Sequence, residues 1–249
     1  LHRQGLEVAV SEFRETISAE EQTVLEQCGA MLETGGHRAA FFLDADLIIL
    51  SPGVPADLPV LTAARMRGVP VVGELALAAG RIQVPVIAVT GSNGKTTVTS
   101  LIGHLLRSCG KKVFVGGNIG IPIPEYLLNP GGTEVVVLEL SSFQLEEAGN
   151  FRPDIALLLN LSPDHIDRHG SFEQYTAAKM NLFAQQGRGD TAIIGLDDRL
   201  LAAAPPAAAG QLKKWLCGVS RIMIFGGRGI DLRQHLQIIQ TAIHLHGGG

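Results

Sequence analysis

The block Thr90-Gly91-Ser92-Asn93-Gly94-Lys95-Thr96-Thr97 constrains this chain more than any other part of it. It follows residues 84–89, a continuous apolar run of the kind that forms a strand buried on both faces. After it, Val98, Leu101, Ile102, Leu105, Leu106 and Cys109 recur at the spacing of one helix face, which predicts a helix running to about Cys109. A glycine loop between a strand and a helix points successive backbone N–H groups at phosphate oxygens, and the helix N-terminus adds a favourable dipole. Gly91, Ser92, Asn93, Gly94, Lys95, Thr96 and Thr97 are therefore the expected nucleotide-binding residues. In such a loop Lys95 neutralises the β- and γ-phosphates, and the Thr96 hydroxyl reaches a magnesium ion. The pattern departs from its fullest form at Val89, where a first glycine would stand. The competing reading is an ordinary strand-to-helix turn, and the flanking elements argue against it.

Short strands alternate with helices along the rest of the chain, the mark of an α/β fold built on a parallel sheet. Strands are expected at 6–10, 47–50, 69–72, 112–115, 134–140, 155–160 and 191–194, and helices at 61–67 and 171–185. Residues 74–83 read as a connector, giving an N-terminal domain over 1–83 and a second domain over 84–249. The opening Leu1-His2-Arg3-Gln4-Gly5 has the form of a last helical turn closed by glycine, so residues are expected to precede it. An Ala/Pro-rich stretch at 202–210 reads as a loop, and the pattern deteriorates beyond it. Residues 222–225 could form a strand, but 235–249 has neither strand nor helix period, and the tail 222–249 reads as a frameshifted or misread end.

Composition narrows the function classes. Apolar residues make up 46% of 249, ample for a buried core. A net charge of −4 with both signs mixed argues against a nucleic-acid partner or an anionic membrane surface, yet leaves small anionic substrates open, because a loop binds phosphate locally. Three scattered cysteines, Cys28, Cys109 and Cys217, do not make a disulfide framework and fit a reducing cytoplasm. No run approaches the roughly 20 apolar residues of a membrane span, and no signal peptide opens the chain, so no membrane insertion is expected.

Four further places carry candidate chemistry. Glu139 ends an otherwise apolar strand, and the carboxyl ends of parallel strands are where α/β sheets hold ligands. A carboxylate there, beside a phosphate loop, suits magnesium, although alone it would be a loop acid. His165, in Asp164-His165-Ile166-Asp167-Arg168-His169, follows another strand end, where a histidine is either structural or a ligand. Lys179 falls within the apolar helical stripe of Phe172, Tyr175, Leu182 and Phe183. Either its stem covers apolar surface while the amine reaches water, or burial favours the neutral amine, which reacts with carbon dioxide to give an anionic carbamate. The residues alone favour the first. Ser11 and Glu12 close the first strand, where an acidic residue meets a ribose in dinucleotide-type folds, or is simply a solvated loop acid.

Five separated blocks, occurring in order, give this chain a family resemblance. They are the phosphate loop 90–97, Gly116-Gly117-Asn118-Ile119-Gly120, Glu139-Leu140-Ser141-Ser142-Phe143-Gln144-Leu145-Glu146, Asn160-Leu161-Ser162-Pro163-Asp164-His165 and Tyr175-Thr176-Ala177-Ala178-Lys179. Together they resemble the Mur ligases of peptidoglycan synthesis over roughly residues 1–198. The second and third blocks look most like the branch that joins D-glutamate to UDP-N-acetylmuramoyl-L-alanine. The resemblance implies a partial Rossmann-like N-terminal domain that holds the UDP moiety, followed by a P-loop α/β ATP-binding domain. A third domain is expected in the family but does not appear, and the second is expected to be incomplete after about 202. By the same resemblance Lys95 contacts the ATP phosphates, and Thr96 and Glu139 hold one magnesium ion. His165 and a carbamylated Lys179 help hold a second, which reverses the preference drawn from the residues alone. Ser51, Gly53 and Asn118 line the UDP-sugar path, and Ser11 and Glu12 loosely match uracil contacts. The implied enzyme is a cytoplasmic monomer using ATP and Mg2+. Two other readings stay open: a remnant that binds nucleotide without catalysis, and a sister ligase with another amino acid.

Overall fold

The computed structural model describes residues 1–195 and the backbone of two later strands, Lys213–Cys217 and Ile222–Gly226. The stretch 202–210 and the segment 235–249 lie outside the described residues. The chain forms two compact units, one of Leu1–Leu50 with Val54–Val71, the other of Ser51–Gly53 with Val72–Gly249.

The first unit opens with a short 3-10 turn, His2–Gln4, closed by Gly5 in the left-handed conformation. Strands β1 (Ala9–Glu12) and β2 (Met31–Thr34) pair in parallel, with Ala9 opposite Met31 and Glu12 opposite Thr34. Between them lies helix α1 (Ala19–Gln27), which begins with a capping box: the Ser18 hydroxyl accepts from Glu21 N–H and the Glu21 carboxylate accepts from Ser18 N–H. The expected strand at 6–10 is thus displaced toward the C-terminus, and Ser11 and Glu12 lie within it rather than beyond it. Apolar content did not set this boundary; register with β2 did. Helices α2 (Ala39–Leu43) and α3 (Pro59–Met66, with Pro59 in its first turn) flank strand β3 (Ile48–Leu50). A small core forms from Ile48, Leu50, Leu61 and Ala64, with Phe42, Leu43, Val69 and Val71 packed on it. Strand β4 (Val71–Gly73) pairs with β3.

In the second unit the expected connector 74–83 is partly structural: helix α4 (Glu74–Ala78) buries Leu75 and Ala78 in the core. Strand β5 (Val86–Thr90) leads through the glycine loop into helix α5 (Lys95–Ser108). There follow β6 (Val113–Gly117), α6 (Ile123–Leu128), β7 (Val135–Glu139), α7 (Ser142–Glu146), β8 (Ile155–Leu158), α8 (Ile166–His169), α9 (Phe172–Met180) and β9 (Thr191–Gly195). The late strands are β10 (Lys213–Cys217) and β11 (Ile222–Gly226). They assemble as a sheet in the order β10-β11-β9-β8-β5-β7-β6. The strands from β6 to β9 are parallel, and β11 and β10 add antiparallel at the β9 edge.

Every residue of β5 is buried, as a strand covered on both faces requires. The period of two divides the sheet into two cores. Val86, Ala88, Val136, Leu138, Ala156 and Leu158 face one, lined also by Ile123, Tyr126, Leu145, Tyr175, Leu182 and Phe183. Ile87, Val89, Val137 and Leu157 face the other, where Val98, Ile102 and Leu106 of α5 pack. The buried face of α5 differs from the expected one. Cys109 is exposed, whereas Thr99 and Gly103 are buried. A Cβ at Gly103 would stand 2.4 Å from a Val115 methyl, so lack of a side chain lets the helix approach the sheet there. The predicted helix 171–185 is α-helical only to Met180 and then tightens into the 3-10 turn Asn181–Phe183. Chain order reverses about β5, so the carboxyl ends of β7, β5 and β8 lie side by side, the place where open α/β sheets bind ligands.

Candidate functional site

The glycine loop is clamped from beneath by the segment after β8. Ser92 N–H donates to Asn160 O at 3.0 Å. The Asn160 side chain accepts from Asn93 N–H at 2.8 Å and donates to Asn93 O at 3.1 Å. The buried Ser92 hydroxyl donates to Ser162 O at 3.0 Å or shares a hydrogen with Tyr175 OH at 2.8 Å, and accepts from Ser162 N–H at 2.9 Å. Gly91 and Ser92 are buried, while Asn93, Gly94, Thr96 and Thr97 are exposed. Gly94 has φ 80°, a left-handed turn that glycine adopts without steric cost, and it starts α5 with no side-chain cap. The first N–H groups of α5 therefore have neither an intrahelical partner nor a capping side chain, which suits an anion such as phosphate.

Glu139, at the end of β7, is 2% exposed. Its carboxylate accepts from the Thr96 hydroxyl at 2.8 Å and from Asn118 Nδ2 at 2.9 Å. Asn118 N–H also donates to Glu139 O at 2.8 Å. Gly117 makes this approach possible: with φ 102°, a Cβ there would lie 2.4 Å from Glu139 O. Burying a carboxylate is costly unless a cation or strong donors compensate, and the two side-chain donors that meet Glu139 are neutral. The oxygen pair Thr96 Oγ1 and Glu139 Oε2 fits a hard cation such as Mg2+, which takes one or two protein oxygens and fills the rest with phosphate and water. Among the described residues no cluster of three or more His, Cys, Asp or Glu side chains is arranged for a metal.

Lys179 lies on the other side of the same loop and is also 2% exposed. Its ammonium donates to Gly91 O at 2.9 Å and to the Thr90 hydroxyl at 3.4 Å, and lies 4.8 Å from the Tyr175 ring centre. Lys95 Nζ donates to the same Gly91 O at 2.9 Å and to Ser92 O at 2.9 Å. Two amines thus share one carbonyl. Burial first, and the Lys95 charge second, bring the Lys179 pKa down to about 7, partly opposed by Asp164. The amine does not reach water, so the snorkelling alternative is wrong for this side chain.

His165 is held differently. It is exposed and has φ 50°, the one positive-φ residue other than glycine among the described residues. This left-handed conformation costs an L-residue about 1–2 kcal/mol. Its ring meets Asp164 at 3.5 Å and Phe143 at 5.0 Å between centres. Neither Glu139 nor Lys179 is hydrogen-bonded to it. Behind it stands His169, 5% exposed, whose Nε2 is 2.9 Å from Ser142 Oγ and whose Nδ1 is 3.0 Å from Glu146 Oε1. Burial pushes the His169 pKa down, opposed by Glu146. A neutral ring facing a carboxylate carries its hydrogen on Nδ1, so Nε2 accepts from the Ser142 hydroxyl.

The remaining expected site residues are less concentrated. Ser11 Oγ is 2.7 Å from His37 Nδ1 and donates to Glu33 at 3.2 Å. Glu12 is paired with Arg14 at 3.0 Å, which lowers its pKa to about 2. Ser51 and Gly53 form an exposed turn, with Gly53 at φ 92°. Asn118, expected along a sugar path, is committed to Glu139. The sequence reading gave no role to Asn160, Tyr175, Ser142, Glu146 or His169. Tyr175 offered a signal, being one helical turn before Lys179; the others became visible only through pairing distant in sequence.

Comparison with known proteins adds the following. The description "Mur ligase middle domain" matches residues 89–221, past the point where the sequence pattern deteriorates, and "Mur ligase MurD-like, N-terminal domain" matches residues 1–73. The UDP-N-acetylmuramoylalanine–D-glutamate ligase of Desulfotalea psychrophila is 55% identical over 188 residues, covering 76% of this chain and 41% of that protein. The enzyme of the same name from Koribacter versatilis is 50% identical over 199 residues, covering 80% of this chain and 44% of its own length. The chain thus spans less than half the length of these two relatives. Among solved structures, the UDP-N-acetylmuramate:L-alanyl-gamma-D-glutamyl-meso-diaminopimelate ligase from Neisseria meningitides has the same fold, with a TM-score of 0.52, 20% identity and coverage of 81% of this chain and 67% of that one.

Proposed function

This chain belongs to the Mur ligase family, and from that premise we propose that it carries the UDP-substrate and ATP-binding parts of the cytoplasmic ligase that joins D-glutamate to UDP-N-acetylmuramoyl-L-alanine. The observation that carries the reading is the buried Glu139 carboxylate at the mouth of an uncapped phosphate loop, with buried Lys179 beneath that loop. The two similar enzymes named above support the choice of D-glutamate.

The chemistry follows from what a carboxylate lacks. It is a poor electrophile, so the L-alanyl carboxylate first attacks the γ-phosphorus of ATP, forming an acyl phosphate as ADP leaves. The amine of D-glutamate then attacks the acyl carbon, loses a proton, and the tetrahedral intermediate expels inorganic phosphate to leave the amide. Phosphoryl transfer of this kind needs positioning and charge neutralisation above all. The uncapped N–H groups of Lys95, Thr96 and Thr97 would orient the phosphates, with Gly91, Ser92, Asn93 and Gly94 shaping the loop. Lys95 would leave its carbonyl acceptors to neutralise the transferring group. Thr96 and Glu139 would hold a magnesium ion, which supplies charge stabilisation at the phosphates.

With its pKa brought down to about 7 by burial, the Lys179 amine suits attack on carbon dioxide in its neutral form: an N–C bond forms, a proton leaves and an anionic carbamate results. That group, with His165, would hold a second ion near the acyl carboxylate. Ser51, Gly53 and Asn118 are proposed contacts on the sugar side, and Ser11 and Glu12 at the uracil end. We take the enzyme to be a monomer in the cytoplasm; among the described residues no helix is long and apolar enough to cross a membrane.

The test is ADP release from ATP by the protein expressed from the complete reading frame, with UDP-N-acetylmuramoyl-L-alanine present. Release that requires D-glutamate, and does not occur with L-alanine, L-lysine or diaminopimelate, is the expected result. Release with another of these amino acids would make it a sister ligase. Nucleotide binding with no amino-acid-dependent release would leave a binding protein only.

A further inference from the structure

His169 stands outside the phosphate loop and carries none of the roles above, yet it is among the most heavily engaged side chains in the unit. Its ring nitrogens meet Ser142 and Glu146 on α7 at 2.9 and 3.0 Å. Its ring stacks on Phe143 at 5.4 Å with planes 16° apart and meets Tyr175 edge-on at 5.3 Å. The second Glu146 oxygen takes Arg168 Nη2 at 3.2 Å, and Arg168 also lies over the Phe143 ring at 5.7 Å. Both ends of α8 are thereby fixed to α7. At its C-terminus Arg168 and His169 grip Glu146, Ser142 and Phe143. At its N-terminus the strained His165 packs on the same Phe143, and its carbonyl accepts from Arg168 N–H at 3.1 Å and His169 N–H at 3.0 Å. Helix α7 begins three residues after Glu139, so the frame that fixes His165 is continuous with the strand that carries the buried carboxylate.

We propose that His169 is a positioning residue: through Ser142 and Glu146 it ties α8 to α7 and so holds His165 in its left-handed conformation against Phe143. An αL residue other than glycine persists when its surroundings over-determine it, and the two side-chain bonds of His169 supply that determination. The consequence for ligation rests on the ligase reading; the tie itself does not.

Two measurements test it separately. The first is NMR of the His165 ring and hydrogen exchange of the 166–169 amides in this chain. His169→Phe keeps the aromatic contacts with Phe143 and Tyr175 but loses both hydrogen bonds. It is expected to move or broaden the His165 ring signals and to speed exchange in α8 about 10-fold or more, as expected when a local element opens more easily. His169→Asn, whose side-chain amide stands where Nδ1 does, should recover part of the change. Glu146→Gln and Ser142→Ala should each produce a smaller one, so misfolding of one variant does not decide the matter. Unchanged His165 signals and exchange across folded variants would overturn the tie.

The second measurement is kinetic, on the protein from the complete reading frame. His169→Phe should lower kcat about 10- to 100-fold, the usual range for residues that orient a ligand, with KM for ATP changed less than about twofold. In a His165→Ala background the same substitution should add almost nothing, because residues acting through one another are not additive. Full additivity would overturn action through His165. Absence of ligation in the unsubstituted protein would remove the ligase reading and leave the NMR result to stand by itself.

Discussion

In the first unit Arg14 bonds Glu12 and Glu21 at the surface, whereas in the second Glu139, Lys179 and His169 are each no more than 5% exposed. Both regions contain short strands, helices and charged residues. They differ in what surrounds the charges. The first unit has four buried apolar residues in its described core, while Phe13, Val24 and Met31 remain exposed at 75%, 58% and 61%. Its Arg14 pairs are wet and are worth little, and the one buried carboxylate described there, Glu33, is met by the exposed guanidinium of Arg38. The second unit closes helices over both faces of a broad sheet, so the ionisable groups at the strand ends lie in a poorly solvated place. There charge is expensive, burial pushes the pKa values of Lys179 and His169 down, and a ligand or ion has something to compensate. The lesson is that a candidate site is identified less by its charged residues than by whether water can reach them.

The strongest way to break this contrast is to remove the buried amine. In the complete protein Lys179→Ala should lower ligation at least ~100-fold, in the range for removing a preorganised electrostatic group, and added formate or acetate should restore part of it. Activity within about twofold of the original would remove Lys179 from the chemistry. Truncation in the two cores gives the next effect. Leu138 and Leu61 are 0% and 1% exposed. Buried Leu→Ala changes cost about 2–5 kcal/mol. Leu138→Ala is expected near the upper end and Leu61→Ala near the lower, because the smaller core has fewer neighbours to leave unsupported. Hydrogen exchange read separately in the two units checks this, and the reverse order would refute the packing comparison.

Titration gives a gentler test. The Lys179 pKa is lowered to about 7 from 10.5. Below pH 7 the folded protein must hold the charge in its interior; between about 7 and 10.5 the unfolded chain binds more protons than the folded one. Stability from this group therefore rises with pH across that window, by at most about 1.4 kcal/mol per pH unit. Lys179→Met should flatten the slope, and a slope of opposite sign would contradict the burial argument. The smallest effect belongs to the first unit. Glu12 should titrate near 2, and Arg14→Ala should return it toward 4.5. Its contribution is present above 4.5 and is lost as pH falls toward 2, and salt should weaken it because the pair lies in solvent. A carboxyl-carbon titration by NMR reads both.

Much of the second unit was legible in order along the chain. The phosphate loop, the buried strand before it and the helix after it all appeared where local pattern put them, because each is specified by neighbours within one or two turns. Glu139 at a strand end and Lys179 on an apolar stripe were legible for the same reason. The first unit was read less well. Residues 19–27 were left unassigned despite the Ser18/Glu21 capping signature, and β2 and the full extent of β1 were missed, since parallel pairing across 22 residues leaves only a faint local trace. The face of α5 was misjudged at Cys109 because Gly103, silent in a hydrophobic pattern, sets how closely that helix lies.

The sequence by itself determined strands β5 to β9, helix α5, most of α9 and the glycine loop of the second unit, because period, glycine placement and helix opening are local properties, whereas the short helices α4, α6, α7 and α8 left too few turns to be read. Tertiary structure alone decided how the groups able to do chemistry meet. Asn118 comes to Glu139 across 21 residues, Ser142 to His169 across 27, Ser92 to Tyr175 across 83, and Lys179 to Gly91 across 88. Such contacts depend on which strands lie side by side, and the strand order β7-β5-β8 is set by how the whole sheet buries both faces. The same burial decided that Lys179 is dry. A helical stripe says which way a lysine points; only the packed neighbours say whether water can follow it.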